Sequence, residues 1–507
     1  MAVSQLKAGA ILNYVVLGLS NLVGLLYTPY MLRMMGQSEY GLYSLVASVI
    51  AYLTIMDFGF GNAIIRYTAK YRAEGKFEEQ YAMFGMFLIL YSAIGVIAFC
   101  GGLGLYFNVD ALFGDTMSTV ELERARVLML IMLFNLGITF PLSIFGSIIT
   151  AYEDFIFQKT VQIVRIVLNT LVMIFLLQKG YKAVAMVVVQ TVFNFLTLIL
   201  NLFYCKYKIR IRFIFGKFKW GFLKEVSIYS FWIFLGIIID RIYWSTGQFV
   251  LGTTEGAVAV AVFAVAIQFQ NMYMSFSTAI SGVVFPRITA LVANHRTDRE
   301  ISDIFIRVGR IQYMVVAFIL SGFVIFGRQF IIQWAGADYE EAYTIALLFF
   351  AALTIPLIQN VGISVLQARN QMKFRSLSYV VIAVGSLVGQ VLLARKFGSI
   401  GCAVAIAGAL FVGQGLVMNI YYYKVQKLDI LKFWQEIARM SVAPIFLTLG
   451  CRYLVTQLNL SDFGRLGGAI MLYTIVYIPM FWCFGMNESE RSMIGQPIQR
   501  VFKLIFK

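Results

Sequence analysis

The chain has 507 residues, of which 60% are apolar and only 13% charged, and its mean hydropathy is +0.81. Too few polar side chains remain to cover a water-soluble surface, so the composition excludes an ordinary soluble domain and points to a polytopic membrane protein. The net charge of +16 then reflects a Lys/Arg excess in cytoplasmic loops rather than a nucleic-acid footprint.

Apolar stretches long enough to cross about 30 Å of hydrocarbon fall near 8–30, 40–66, 83–107, 125–149, 160–178, 183–204 and 226–251. They continue near 257–284, 308–330, 342–366, 377–394, 400–423, 437–456 and 466–485. An all-α fold of about fourteen transmembrane helices is expected, because a lone strand would leave backbone groups unpaired in lipid. The first stretch, Ala8 to Tyr30, exceeds a signal-peptide core and lacks a small-residue cleavage site. It should remain as the first span.

Basic residues set the orientation. With a cytoplasmic N-terminus, about thirty Lys and Arg fall at cytoplasmic ends and about ten outside. The segment from Cys205 to Lys224 decides it, with Lys206, Lys208, Arg210, Arg212, Lys217 and Lys219. Both termini are expected in the cytoplasm. The same segment suits contact with anionic lipid headgroups. The tail from Arg491 to Lys507 can form a short interfacial helix, with Ile494, Ile498, Val501 and Ile505 on one face.

The basic segment separates six spans from eight, and each part opens with a comparable hairpin. Gly36-Gln37-Ser38-Glu39 follows the first span, and Gly252-Thr253-Thr254-Glu255 follows the seventh. This predicts duplicated halves, the plan of alternating-access transporters with a site between repeats. The expected divisions are 1–204, a basic connector 205–225, 226–423, a terminal pair 424–485 and a tail 486–507.

Polar stripes mark four spans. In the first, Asn13, Ser20, Asn21, Gly24 and Thr28 fall within about 100° of arc. The second carries Tyr40, Ser44, Ser48, Asn62 and Arg66, and the seventh Ser227, Ser230, Arg241, Trp244, Ser245 and Gln248. The eighth carries Gln268, Asn271, Ser275, Thr278 and Gly282. Polar stripes in lipid must face protein or water, so the pattern predicts a hydrated cavity lined by these spans; interhelical packing is the competing account.

Arg241 lies about fifteen residues into its span, about 22 Å from the inner end. Unless paired or hydrated there, it costs at least about 2.5 kcal/mol. Asp240 is adjacent but points about 100° away. Asp57, in Met56-Asp57-Phe58-Gly59-Phe60-Gly61-Asn62, is the other intramembrane charge. It is open to structural pairing, to a salt bridge with Arg241, or to ion coupling, and Gly59 and Gly61 can kink its helix.

The five cysteines, Cys100, Cys205, Cys402, Cys451 and Cys483, lack metal or redox spacing. The single histidine, His295, sits in a charged loop. With no triad, metal site or phosphate-cradling loop in the sequence, neither a cofactor nor enzymatic chemistry is expected.

The run YGLYSLVASVIAYLTIMDFGFGNAIIRYTAKYRAEG, Tyr40 to Gly75, resembles the second helix of bacterial Wzx-type polysaccharide flippases. So do SNLVGLLYTPYMLRMMGQSEYG, Ser20 to Gly41, and SFWIFLGIIIDRIYWSTGQFVLG, Ser230 to Gly252. These flippases form the polysaccharide transporter family of the multidrug/oligosaccharidyl-lipid/polysaccharide superfamily. The resemblance implies two six-helix bundles in a V plus two C-terminal helices, in the bacterial cytoplasmic membrane. It implies movement of an undecaprenyl-pyrophosphate-linked oligosaccharide from the inner to the outer leaflet. Arg241 and Arg66 match basic residues that attract the pyrophosphate in such cavities. Gln248 stands where relatives often carry an acidic residue. Implied partners are the lipid-linked oligosaccharide, membrane lipids and polysaccharide assembly enzymes. A multidrug or cation exporter of the same superfamily is the alternative, although a cavity arginine suits it poorly. A membrane polymerase or ligase would need a larger outer loop than the one around Asn108 to Glu123.

Overall fold

The computed structural model describes residues 2–216, 220–294, 296–369, 371–456, 460 and 462–492. His295, Lys217 and Lys219, and the tail beyond Ser492, including most of the expected interfacial helix, lie outside the described residues.

Among the described residues every regular element is helical. The first helices are α1 (Ala2–Met35), α2 (Gln37–Leu53), α3 (Phe60–Ala73), α4 (Phe77–Phe107), α5 (Val109–Phe113) and α6 (Thr119–Ala151). Then come α7 (Phe155–Gln178), α8 (Ala183–Tyr204), α9 (Trp220–Trp244), α10 (Thr246–Thr254), α11 (Ala257–Ala293) and α12 (Asp298–Trp334). The last are α13 (Glu341–Ile358), α14 (Asn360–Ala368), α15 (Met372–Leu410), α16 (Met418–Lys424), α17 (Ile430–Thr456) and α18 (Phe463–Phe484). Local chemistry sets several boundaries. α6 starts in a capping box, in which Ser118 accepts from the Glu121 amide and Glu121 accepts from the Ser118 amide. α12 starts at Thr297, whose hydroxyl accepts from the Glu300 amide at 3.3 Å.

Among the described residues eleven helices are long and apolar enough to cross a membrane, or twelve if the bent pair Trp220–Ile228 and Ser230–Thr254 forms one span. The fourteen expected from hydropathy are not reached by this measure, for two physical reasons. Met372–Lys424 counts once, although its helix is broken at Gly398. There φ is 56° and ψ −138°, and an added Cβ would lie 2.4 Å from Glu255 Oε1. The chain doubles back at this point, so that Cys402 donates to the Gln390 carbonyl at 3.8 Å. The second reason is α17, which carries Lys432, Glu436, Arg439 and Arg452 and stands outside the apolar set.

The chain forms two compact units, Met1–Gln268 with Lys373–Ala409, and Phe269–Met372 with Leu410–Lys507. In the first, α6 packs on α2, α3, α4 and α8, while α1 lies along α7. In the second, α12 packs on α13, α17 and α18. The core there includes Ile325, Phe326, Met440, Tyr473, Tyr477 and Phe481. Arg310 of α12 is 5% exposed and donates to Glu490, itself 3% exposed, at 2.6 Å. It donates to Glu436 of α17 as well. This buried cluster ties α12 and α17 to the segment after α18.

Of the two Gly-x-x-Glu matches, Gly36 (φ +84°) sits in the turn before α2, whereas Gly252 lies inside α10. The turn before α11 is made by Gly256 (φ +85°).

Candidate functional site

The first unit encloses a cavity of about 700 Å³, within the usual range of ligand sites. Each wall is a helical stripe at three- and four-residue spacing. α1 supplies Ser20, Gly24 and Tyr27, and the α2 segment supplies Tyr43 and Thr54. α6 supplies Asn135 and Thr139, α7 supplies Arg165, Asn169 and Thr170, and α8 supplies Gln190, Thr191 and Asn194. Arg241 enters from α9. The lining contains two arginines and no carboxylate.

Arg241 is held by its own neighbourhood only lightly. Its Nη2 donates to Thr54 Oγ1 at 3.3 Å, and its Nε is buried without a hydrogen-bond partner. Among the described residues it makes no ion pair with Asp57. That carboxylate accepts from Tyr91 Oη at 2.7 Å and from the backbone amides of Gly59 and Gly61. It thereby caps the start of α3, whose N-terminus favours an anion.

The span between α2 and α3 is broken in this region. Thr54–Asp57 is a 3₁₀ turn, and Phe58 and Gly59 both take left-handed φ, at 50° and 75°. α9 packs on the break. Phe234 lies 5.1 Å from Phe58 between ring centroids, and Tyr52 shares a hydrogen bond with Thr246 at the start of α10.

The opposite polar wall is a side-chain ladder. Asn194 donates to Asn135 Oδ1 at 2.7 Å and to Thr139 Oγ1 at 2.8 Å. Its own Oδ1 accepts from Arg165 at 3.4 Å. Tyr43 donates to Gln190 at 3.2 Å. Tyr27 Oη, Asn169 Oδ1 and Thr191 Oγ1 are buried without protein partners. Such atoms cost about 1–3 kcal/mol each unless a ligand or water satisfies them.

Of the residues singled out from sequence, Arg241 lines this cavity, with Ser20 and Gly24 of the first stripe. Gln268 donates to the Gly24 carbonyl at 3.0 Å and to Thr28 at 2.9 Å, pinning α11 to α1. Ser48 is buried and donates to the Leu45 carbonyl of its own helix at 2.7 Å. Asn13, Asn62, Arg66 and Asp240 are exposed, with the Arg66 guanidinium 5.8 Å from the Tyr67 ring centre. Asn21, Trp244 and Gln248 are half-buried outside the lining, and Asn271 is exposed in the second unit. Arg165 and the stripes of α6, α7 and α8 were not anticipated. Their signal is nonetheless in the sequence, as the i, i+4 polar pairs Asn135/Thr139, Arg165/Asn169 and Gln190/Asn194 inside apolar spans.

A family model described as "Polysaccharide biosynthesis protein" matches residues 6–292, which contain every residue of this cavity. The chain belongs to that family. One relative, from Shigella flexneri, is named "Putative O-antigen transporter". The two are 20% identical over 386 residues, covering 74% of this chain and 88% of the relative. Solved structures share the fold. One is a lipid II flippase, MurJ, in an inward closed conformation (TM-score 0.71, 15% identity, 96% of this chain and 99% of that one). Another is an inward-facing multidrug resistance MATE family transporter of the MOP superfamily (TM-score 0.63, 14% identity, 86% and 98%). The chain is thus a multi-pass membrane protein whose fold is shared with MOP-superfamily transporters and flippases.

Proposed function

We propose that this protein translocates an undecaprenyl-pyrophosphate-linked oligosaccharide from the inner to the outer leaflet of the bacterial cytoplasmic membrane, by alternating access. The observation that carries the reading is the cavity with two arginines and no lining carboxylate. A guanidinium at membrane depth costs at least about 2.5 kcal/mol without a counter-charge. Among the described residues neither Arg165 nor Arg241 has a carboxylate within ion-pair distance, so an anionic ligand is the natural partner.

Arg241 binds the pyrophosphate. On arrival of the anion, its bond to Thr54 is exchanged for charge-assisted hydrogen bonds, which are shorter and stronger. The buried amides and hydroxyls of α6, α7 and α8 face the sugar hydroxyls. The prenyl chain stays in lipid, where it costs nothing to bury. Arg66, at the cytoplasmic end of its span under the proposed orientation, receives the headgroup first. Both termini face the cytoplasm. A cation exporter of the same fold would need a carboxylate in its cavity, and this lining has none.

The test is flipping of a fluorescent undecaprenyl-pyrophosphate oligosaccharide in proteoliposomes. Wild type should move it between leaflets, and Arg241→Gln should not, with reconstitution levels unchanged. Full transport by that variant would remove Arg241 from the mechanism. Failure of the wild type in the same assay would remove the function.

A further inference from the structure

The two cavity arginines belong to different chemical surroundings. Arg241 projects from α9 toward the broken span and donates to Thr54. Arg165 projects from α7 into the amide and hydroxyl ladder, where it donates to Asn194. Asn194 is in turn fixed by Asn135 and Thr139 of α6. The lining residue one turn on from Arg165 is Asn169, whose Oδ1 is buried without a partner. Arg165 therefore stands on the wall suited to sugar hydroxyls, and Arg241 stands off it.

A neutral glycan gives a guanidinium on that wall nothing to neutralise. Neutral hydroxyls would be served as well by another asparagine or glutamine, without the cost of a cation at membrane depth. A carboxylate on a sugar ring matches the planar fork of arginine, which binds carboxylates through two parallel hydrogen bonds. The absence of any lining carboxylate means that such a sugar meets no repulsion.

We infer that Arg165 is a specificity site for an acidic sugar, one bearing a carboxylate, within the transported oligosaccharide. This rests on the reading of the cavity as the carrier-binding site. The pyrophosphate is met by Arg241, and the glycan's own charge is met by Arg165.

The test compares two synthetic carriers, undecaprenyl pyrophosphate bearing glucose and the same carrier bearing glucuronic acid. Binding is measured to the full-length protein in nanodiscs. Wild type should prefer the glucuronyl carrier by about 10- to 100-fold. Arg165→Gln should weaken the glucuronyl carrier far more than the glucosyl carrier and so lose that preference. Arg165→Lys, which keeps the charge and loses the fork, should retain part of the preference and shows that the site still folds. Equal weakening of both carriers in Arg165→Gln would make Arg165 a pyrophosphate ligand and overturn the inference, leaving the transport reading intact. Equal affinities in wild type would overturn it too. Binding of neither carrier by wild type would sink the carrier reading itself, and this inference with it.

Discussion

Replacing Gly59 with alanine adds one methyl group at the break between α2 and α3, and two separable costs follow. The residue sits at φ +75°, where an L side chain costs about 1–2 kcal/mol. The new Cβ would lie 2.9 Å from Ile233 Cγ2 and 3.5 Å from the Ser230 carbonyl of α9. Overpacking of that kind costs about 1–3 kcal/mol. The sum is about 2–5 kcal/mol. Equilibrium unfolding in mixed detergent micelles, with wild type, Gly59→Ala, Ile233→Ala and the double variant, separates the two parts. Alanine at 233 is needed because valine would keep the clashing methyl. The cycle should show a favourable coupling of about 1–3 kcal/mol, leaving behind the backbone share and the tight 3.1 Å approach to the Cβ of residue 233. Gly59→Ala within about 0.5 kcal/mol of wild type, or no coupling to Ile233, would refute the packed, left-handed break.

Asp57→Asn should keep most transport and stability, because an amide oxygen can still accept from the α3 amides, whereas Asp57→Ala should lose about 0.5–2 kcal/mol. Loss of transport in the folded Asn variant would instead mark Asp57 as an ion-coupling group. Arg310→Leu should destabilise by about 3–5 kcal/mol, since it strands Glu490 beside Glu436 without a counter-charge; the double change Arg310→Leu, Glu490→Gln should recover part of that loss in the same unfolding assay. Ser118→Ala should cost about 1 kcal/mol through the α6 capping box, seen as faster hydrogen exchange confined to the first turn of α6.

The membrane fold was legible because lipid leaves the backbone few options. Long apolar runs between basic loops must be helices, and most runs appear where hydropathy put them. The count blurred at Gly398 and in α17, where a sharp turn and four charges depart from the simple rule. That Arg241 faces a polar cavity was legible because an arginine inside an apolar span needs polar company. Arg165 was missed because the polar stripes were sought in the opening hairpins, whereas three of the cavity walls come from α6, α7 and α8. Stripe geometry also misassigned partners. Gln268 shares a face with other polar residues, yet it spends its amide on the Gly24 carbonyl and Thr28. A helical wheel gives the direction of a side chain on its own axis, but which neighbour stands there depends on the tertiary packing. At Asp57 the glycines signalled a kink, but the sequence did not show that the break at Phe58 and Gly59 starts a new helix beside the carboxylate, with Tyr91 as its partner.

The Arg310 cluster bears on the order in which the protein is made. Glu490 follows Arg310 by 180 positions and comes after α18. A ribosome inserting this chain delivers the arginine first and its main counter-charge 180 residues later. Until then the guanidinium has Glu436 alone, and α12 and α17 lack the carboxylate that joins them to the later segment. A chain cut short before Glu490 would therefore carry a buried arginine in its second unit with Glu436 as its one remaining carboxylate partner.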